Sequence, residues 1–224
     1  MTAIDKGTID YKSELLRKSI HLCSLSIPIV YNLPYVTKQF ALSILIPLAV
    51  IAVLIDIGRH NFESINKIFN VLFGFLLREH EKDNRKKNLS GATYVLISAV
   101  IVVLIFPKVF VITGFAVLIL SDISAALIGR RYGKHKFLSK SLEGTSAFFV
   151  VGCIVVLFSP KVQYDLLEYF IGFAAIFVGA IFENISYGWA DDNLTVPLSI
   201  GVSLWILYLV FYPELNLTLL TFPG

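Results

Sequence analysis

Long apolar runs dominate this chain and restrict what it can fold into. Seven of them reach roughly 17 residues or more, which is the length needed for a helix to cross the hydrocarbon core of a bilayer. They cover residues 19–37, 39–57, 90–106, 109–128, 143–159, 166–188 and 195–212. Only 16% of residues are charged and the mean hydropathy is +0.76, whereas a soluble domain carries nearer a quarter charged residues. The sequence therefore predicts an all-α, polytopic transmembrane helix bundle that forms one domain over residues 1–224.

A further apolar stretch, residues 65–77, is too short to cross a bilayer. Its pattern predicts a short amphipathic helix that lies in the membrane interface or is partly buried. If this stretch crossed after all, the bundle would have eight spans instead of seven.

The distribution of Lys and Arg predicts the orientation of the bundle, because cytoplasmic segments of membrane proteins are rich in these residues. The segments outside the predicted spans fall into two sets that alternate along the chain. The set that includes the N-terminus carries sixteen of the 19 basic residues. Seven of the sixteen lie within residues 59–87 and five within residues 130–140. The opposite segments carry three. We therefore expect a cytoplasmic N-terminus and, with seven spans, a C-terminus on the far side.

Other features of the composition exclude several classes of protein. A net charge of +3 gives no reason to expect nucleic-acid binding. Cys23 and Cys153 lie inside apolar runs, which indicates small buried side chains and neither a disulfide framework nor a zinc site. The first eighteen residues are polar and of mixed charge, so no cleavable signal peptide is expected.

Charged residues beside or within the apolar runs are the main candidates for chemistry, since each is costly to place in a membrane. Leading into the first run, Glu14, Arg17, Lys18 and His21 have the spacing i, i+3, i+4, i+7, which puts them on one helix face. An isolated histidine such as His21 is more often a packed side chain than a catalyst.

The remaining charged groups also concentrate at the predicted cytoplasmic ends of the runs. Asp56 is expected either to pair with Arg59 or His60 or to take part in the site. Asp122 and Glu183 stand well inside apolar sequence, where a carboxylate is a functional candidate by default. They are followed by a pair of adjacent acids, Asp191 and Asp192, which form either an ordinary polar turn or a set of hard oxygen ligands that suits Mg²⁺.

The most informative segment runs from residue 121 to residue 145. Small residues lead into a basic loop punctuated by glycines, and the loop ends at Lys140-Ser141-Leu-Glu143-Gly144 where the next helix begins. Helix N-termini and glycine-flanked amides bind phosphate, and basic side chains add charge. The sequence from Gly129 onward is one residue short of a P-loop and lacks its Ser or Thr, so we reject that motif.

These motifs resemble the dolichol kinase, phytol kinase and CTP-dependent diacylglycerol kinase family of integral membrane lipid kinases. The resemblance covers most of the chain, and its four motifs occur in order. They are Glu14-Leu-Leu-Arg17-Lys18-Ser-Ile-His21, Leu89-Ser-Gly91-Ala-Thr93, the segment from Asp122 to Thr145, and Asp191-Asp192-Asn193-Leu-Thr-Val-Pro197.

The resemblance implies an enzyme that transfers a phosphoryl group from CTP to a long-chain lipid alcohol, with Mg²⁺ as cofactor. The alcohol would be of the phytol or polyprenol type, or a diacylglycerol. The candidate catalytic residues are Asp122, Glu143, Glu183 and His21. The candidate nucleotide- and phosphate-binding residues are Arg17, Lys18, Arg130, Lys134, Lys140, Ser141 and Gly144. The candidate Mg²⁺ ligands are Asp122, Asp191 and Asp192.

Two alternatives remain at the level of sequence. The Lys140-Ser-Leu-Glu143-Gly144 element is also similar to membrane CTP:phosphatidate cytidylyltransferases, which would transfer a cytidylyl group to a phospholipid acid. A transporter would carry polar residues on both faces and in mid-membrane, which the one-sided charge distribution disfavours. The small size favours a prokaryotic plasma membrane, and an organelle membrane remains open.

Overall fold

The computed structural model describes residues 11–77, 88–186 and 191–217. Within these ranges the chain is all-α apart from one short antiparallel hairpin. Its elements are α1 (Tyr11–Cys23), α2 (Ser26–Asn32), α3 (Lys38–Asn61), α4 (Glu63–Phe73), α5 (Gly91–Ile105), α6 (Lys108–Tyr132), β1 (Lys136–Phe137), β2 (Lys140–Ser141), α7 (Leu142–Phe158), α8 (Leu166–Ile185) and α9 (Asp192–Phe211). Residues 78–87, which carry five of the basic residues used above to predict orientation, lie outside the described ranges.

Four helices of the described part are long and apolar enough to cross a membrane, namely α3, α6, α8 and α9. Helices α5 and α7 are equally apolar but have 15 and 17 residues. At 1.5 Å per residue, α5 spans about 22 Å, which is less than the ~30 Å of a typical hydrocarbon core. The all-α bundle is confirmed, whereas the count of seven spans stays a prediction.

The first predicted span, residues 19–37, is not one continuous helix. Helix α1 ends at Cys23 and α2 begins at Ser26, because Pro28 has no N–H to donate to the carbonyl of Ser24. A tighter bond from the amide of Ile27 to that carbonyl replaces the missing one (2.9 Å). Proline is tolerated in the first turn of a helix, so the sequence starts a new helix here.

The α1–α2 pair nevertheless extends along much of α6. Near its beginning, Lys18 contacts Asp122 in the second half of α6. Just beyond its end, the carbonyl of Leu33 accepts a hydrogen bond from Lys108 at the start of α6 (2.9 Å). The two segments are therefore antiparallel, and the polar face of α1 is fixed against the end of α6 where the site lies.

Helix α4 is the short amphipathic helix expected in residues 65–77. It begins two residues earlier and ends four residues earlier than expected, and none of its side chains is buried. Apolar side chains such as Ile68 and Val71 are exposed. Contact with lipid would cover them, and this location in the interface remains a prediction.

The core of the bundle is built around α6, which packs against α7, α9 and α2. Its fully buried side chains include Phe110 and Phe115. Small residues allow neighbouring helices to approach closely: a Cβ added at Gly152 would lie 2.4 Å from Cγ2 of Ile176. This packing brings the C-terminal parts of α6 and α8 beside the N-terminus of α9.

The opposite end of the bundle contains a buried acid, Glu168, whose hydrogen bonds are internal. Its carboxylate accepts hydrogen bonds from the amides of Val162, Gln163 and Tyr164 at 2.7–2.9 Å. The hydroxyl of Tyr208 donates to it at 2.6 Å. These contacts tie the α7–α8 connection to α9, so we assign Glu168 to the architecture of the fold.

Candidate active site

Three buried carboxylates from different helices meet at one end of the bundle. Asp122 lies on α6, Glu183 on α8, and Asp192 is the first residue of α9. One oxygen from each lies within 4.8 Å of the other two, and each residue is at most 5% exposed. Carboxylates this close disfavour one another's ionised forms unless positive charge is present. Cations close to the three carboxylates would stabilise their ionised forms.

Two lysines supply part of that positive charge. The Nζ of Lys18 donates a hydrogen bond to Asp122, and the Nζ of Lys140 donates one to Glu183. Lys140 also lies 3.7 Å from Oδ2 of Asp192. Burial disfavours the ammonium form, but the carboxylates of Glu183 and Asp192 outweigh it and raise the pKa of Lys140 above its ordinary value. Three carboxylates therefore face two ammonium groups, which leaves an excess of negative charge.

The donor atoms of this cluster fit Mg²⁺, which prefers carboxylate oxygens and water. The Oε2 atom of Glu183 is buried and makes no hydrogen bond to any residue in the described ranges. An unsatisfied buried carboxylate oxygen is costly, and a divalent ion would satisfy it. Asp122, Glu183 and Asp192 are thus the residues that would hold the metal.

The structure gives Asp191, a predicted metal ligand, a different position. Asp191 is the N-cap residue of α9, and its Oδ1 accepts hydrogen bonds from the amide (3.0 Å) and side chain (2.6 Å) of Asn193. Aspartate is a favoured N-cap residue because its oxygen satisfies a free helical amide. Glu183 instead completes the carboxylate group that the sequence assigned to Asp122, Asp191 and Asp192.

The polar face of α1 forms one wall of the site, as its spacing predicts. Besides the contact from Lys18, Nε2 of His21 lies 3.7 Å from Oδ2 of Asp122 and makes no hydrogen bond in the described part of the chain. Glu14 lies between two cations, with Arg130 at 3.5 Å and Lys18 at 4.0 Å. This face therefore connects α1 to both the carboxylate cluster and the end of α6.

The loop between α6 and α7 is held in place by Asn184, which is fully buried. Its Oδ1 accepts hydrogen bonds from the amides of Ser139 (2.8 Å) and Lys140 (3.1 Å). Its Nδ2 donates to the hydroxyl of Thr145 at 2.6 Å. Asn184 follows Glu183 on α8. The same turn of this helix therefore holds both the backbone of Lys140, through Asn184, and its ammonium group, through Glu183.

Glu143, a predicted catalytic residue, lies outside the carboxylate group. Both of its oxygens accept from the amide of His135 at 3.3 Å, and Oε1 is 2.7 Å from Nδ1 of the same residue. His135 is largely exposed. Glu143 therefore ties the basic loop to the start of α7 in this structure.

The predicted phosphate ligands divide into two groups. Lys18 and Lys140 reach the carboxylate cluster, and Arg17 and Arg130 lie along the same wall, whereas Lys134 is exposed in the loop. Ser141 caps α7 and its Oγ accepts from the amide of Gly144 at 3.2 Å. Gly144 packs closely against α6: an added Cβ would lie 3.1 Å from the carbonyl oxygen of Ala125. Ser141 and Gly144 are thus engaged in capping and close helix packing.

Asp56 pairs with Arg59, which is one of the alternatives that the sequence left open. The Nε of Arg59 donates to its Oδ1 at 2.6 Å. The Oδ2 of Asp56 accepts hydrogen bonds from the amide of Ser90 (2.8 Å) and the hydroxyl of Thr93 (2.6 Å). Both charged residues are almost fully buried. This network joins the end of α3 to the start of α5 beside the site.

Sequence reasoning did not identify Asn184 as a site residue, although a signal was present. It is an amide placed directly after Glu183 near the end of an apolar run. A buried amide must find hydrogen-bond partners, so this position was a signal, not used above, for a contact with a neighbouring polar segment. The sequence alone did not indicate that this segment was the basic loop.

Comparison with known proteins finds relatives, and two of the three described here match more than two thirds of the chain. An uncharacterized protein of Rickettsia prowazekii is 30% identical over 201 residues, covering 88% of this chain and 95% of that protein. The CTP-dependent diacylglycerol kinase 1 of Schizosaccharomyces pombe is 30% identical over 168 residues, which are 69% of this chain and 74% of that kinase. The phytol kinase of Synechocystis is 30% identical over 103 residues, which are 43% and 44% of the two chains. No family model matches the chain, and no solved structure does.

Proposed function

This chain belongs to the family of membrane lipid kinases that includes CTP-dependent diacylglycerol kinase and phytol kinase, and we propose that it phosphorylates a lipid alcohol with CTP as donor. The observation that carries the proposal is the buried group of Asp122, Glu183 and Asp192 with its two lysines. The donor follows the name of the fission yeast relative. The reaction would take place at the cytoplasmic face, since the predicted orientation puts this end of the bundle there.

The carboxylate group would bind Mg²⁺ through Asp122, Glu183 and Asp192. When bound, Mg²⁺ would neutralise charge on the phosphate oxygens and orient the transferred group. Lys18 and Lys140, which contact Asp122 and Glu183, would exchange these carboxylate contacts for contacts with phosphate oxygens. Such exchange would keep each buried charge paired as the triphosphate enters.

Basic residues around the cluster would hold the remaining phosphate charge. Arg17 lies one residue before Lys18, and its buried NH1 has no hydrogen-bond partner among the described residues. An arginine fork suits bidentate contact with phosphate. Lys134, in the exposed loop, would contact the nucleotide from the solvent side. Arg130 lies at 3.5 Å from Glu14 and would hold α1 in register.

In the proposed reaction, the hydroxyl oxygen of the lipid attacks the γ-phosphorus of CTP. The bond from that phosphorus to the β–γ bridging oxygen breaks, and CDP leaves with the electron pair. His21 would take the hydroxyl proton, because Glu183 is engaged by Lys140 and Glu143 by His135. Positioning and charge neutralisation supply most of the rate enhancement in such transfers.

The test uses purified protein in nanodiscs with Mg²⁺ and CTP labelled separately at the γ-phosphate and at the base. The acceptors are phytol, geranylgeraniol, a polyprenol, diacylglycerol and phosphatidic acid. The proposal expects γ-label in an alcohol with release of CDP. Base label in phosphatidic acid with release of pyrophosphate would overturn it and indicate cytidylyl transfer.

A further inference from the structure

A cavity of about 310 Å³ lies beside the carboxylate group, between α1 on one side and α3, α4 and the start of α5 on the other. It is distinct from the carboxylate group in its lining, which is mainly apolar. The apolar part includes Ile20, Ala52, Ile55, Phe69, Phe73 and Val95. Its polar lining residues form two groups, and we call the first, on α1 and α9, the polar end: Arg17, Lys18, His21, Ser24 and Asn193. The second group is Asp56, Ser90 and Thr93, where α3 meets the start of α5, and its members are hydrogen-bonded to one another.

The polar end adjoins the proposed reacting atoms. Lys18 and His21 line the cavity and also contact Asp122, by a hydrogen bond and at 3.7 Å respectively. Asn193 lines it as well and follows Asp192 in α9. A molecule in the cavity would therefore reach the carboxylate group past these side chains. The cavity and the proposed metal site share a wall.

The apolar end is formed by elements that leave apolar surface uncovered. Phe73 and other side chains of α4 are exposed, and the outward face of α3 is exposed as well, for example at Ile51. Helix α1 packs against α6, whereas α3 packs against α4 and α5. The cavity thus lies between two packed groups of helices and is bounded by surface suited to lipid.

We propose that this cavity binds the acceptor lipid alcohol, with its hydroxyl at the polar end beside His21 and its chain along Ala52, Phe69 and Phe73. The inference rests on the proposed function and extends it by locating the acceptor. A few polar groups fix the direction of an amphipathic ligand in a mainly apolar pocket. Asp56 is already satisfied by Ser90 and Thr93, whereas buried side-chain nitrogens of Arg17 and His21 have no hydrogen-bond partner among the described residues, so the polar end is the one that suits the hydroxyl. The buried NH1 of Arg17 is available to the phosphate of the lipid product.

The size of the cavity limits how much of the lipid it encloses. A volume of 310 Å³ is at the lower end of the range for pockets that hold drug-sized molecules. It therefore encloses the hydroxyl end and the first part of one chain. The rest of the lipid extends past α4 into the bilayer. Selectivity would then depend on the groups near the hydroxyl more than on tail length.

The test fills the cavity without touching the proposed catalytic groups. Ala52→Phe introduces a ring from α3, and Ala92→Phe introduces one from α5, in case the first variant folds poorly. Val50→Phe is the matched control, because Val50 is exposed on α3 and does not line the cavity. Each variant is compared with the wild type by thermal unfolding in nanodiscs before use.

The readout is ultraviolet cross-linking of a photoreactive long-chain alcohol, followed by peptide mapping, which requires no turnover. We expect cross-links in α3 and α4 that fall at least 10-fold in either filled variant and are unchanged in Val50→Phe. The KM for the alcohol should rise by a similar factor while the KM for CTP stays within 2-fold. Unchanged cross-linking and KM in the filled variants would overturn the assignment. Cavity cross-links in a protein that phosphorylates no alcohol would refute the proposed function instead.

Discussion

The ammonium group of Lys18 on α1 donates a hydrogen bond to the carboxylate of Asp122 on α6, and both side chains are buried. The pair joins the N-terminal helix to the centre of the bundle. It also places a cation beside a carboxylate that belongs to the proposed metal site. The two residues are 104 positions apart in the chain, so the contact exists only when the α1–α2 pair is aligned along α6.

Replacing Lys18 should impair both turnover and stability. In Lys18→Met the carboxylate of Asp122 stays buried and loses its ammonium partner, which is costly because the remaining charge is uncompensated. We expect kcat/KM for CTP to fall by about 100-fold, in the range found when one stabilising donor is removed. Lys67→Met is the control, since Lys67 forms an exposed pair with Glu63 and such pairs contribute little. Equal activity in the two variants would contradict the role of Lys18.

Substituting Glu183 as well as Lys140 should restore the stability that is lost when Lys140 alone is replaced, but it should not restore activity. Lys140→Met is expected to lower the free energy of unfolding by about 3 kcal/mol, because it leaves a buried carboxylate unpaired. The double variant Lys140→Met with Glu183→Gln should recover most of that loss and remain inactive. Thermal unfolding and turnover, measured on the same preparations, separate these effects. Recovery of activity in the double variant would remove both residues from the proposed mechanism.

The ion pair of Lys140 should also persist throughout the neutral pH range. Its pKa is raised in the folded protein, so its contribution is complete below the ordinary lysine value of about 10.4. It is lost as the pH rises through the folded-state pKa. The stability difference between wild type and the double variant Lys140→Met with Glu183→Gln, which leaves no unpaired Glu183 carboxylate to titrate, should therefore be constant from about pH 6 to pH 9. A difference that declines below pH 9 would indicate that Lys140 loses its proton early.

The two glutamates that the sequence proposed as catalytic should differ in their effect. Glu183→Gln removes charge from the carboxylate group, and we expect turnover to fall by about 100-fold or more. Glu143→Gln keeps an acceptor oxygen for the amide of His135 and should retain turnover within about 5-fold, because Glu143 contacts the exposed His135 and lies outside the carboxylate group. The reverse order of the two activities would show that Glu143 is the residue that acts on substrate.

Asn184 should affect the use of CTP through the loop that it holds. Asn184→Ala leaves the amides of Ser139 and Lys140 without their shared acceptor, at a cost of about 1–3 kcal/mol. We expect a higher KM for CTP and a smaller change in the KM for the lipid alcohol. Asn61→Ala is a suitable control, since Asn61 is exposed and its side-chain amide donates to the carbonyl of Ile57 within the same helix, α3. Equal changes in both KM values would indicate general loosening of the fold.

A substitution at the end of the bundle opposite the site should lower stability without changing turnover. Tyr208→Phe removes the hydroxyl that donates to Glu168 at 2.6 Å. Hydrogen bonds within membrane proteins contribute on the order of 1 kcal/mol, so the unfolding temperature should fall slightly. Turnover and both KM values should be unchanged. A large loss of activity would mean that this end communicates with the proposed site.

The sequence identified most of the charged residues of the site individually. Asp122 and Glu183 were visible because carboxylates are rare inside apolar runs, and the helical spacing placed Lys18 and His21 on one face. Their pairing was not visible, because it depends on how α1, α6, α8 and α9 pack. Which of Asp191 and Asp192 lies in the carboxylate group depends on the residue at which α9 begins. Asp191 is the N-cap residue and its side chain accepts a hydrogen bond from the helix, whereas Asp192 lies beside Asp122 and Glu183.

The hydropathy pattern predicted the long membrane-spanning helices but missed the break in the first apolar run. Apolar runs predicted α3, α6, α8 and α9 well, because a long run has few alternatives to a helix. The first run, residues 19–37, contains Pro28, which starts a new helix after a short turn. A hydropathy average does not register the loss of one backbone donor, so the break was missed.

In the proposed reaction, Asp122, Glu183 and Asp192 hold Mg²⁺ for transfer of the γ-phosphoryl group of CTP to a lipid alcohol. The most direct measurement follows CDP and lipid phosphate together, across a range of Mg²⁺ concentrations, in wild type and in folded Asp122→Asn. We predict equal amounts of the two products in the wild type, strict dependence on Mg²⁺, and a loss of at least about 100-fold in the variant. Full Mg²⁺-dependent turnover by Asp122→Asn would contradict the account.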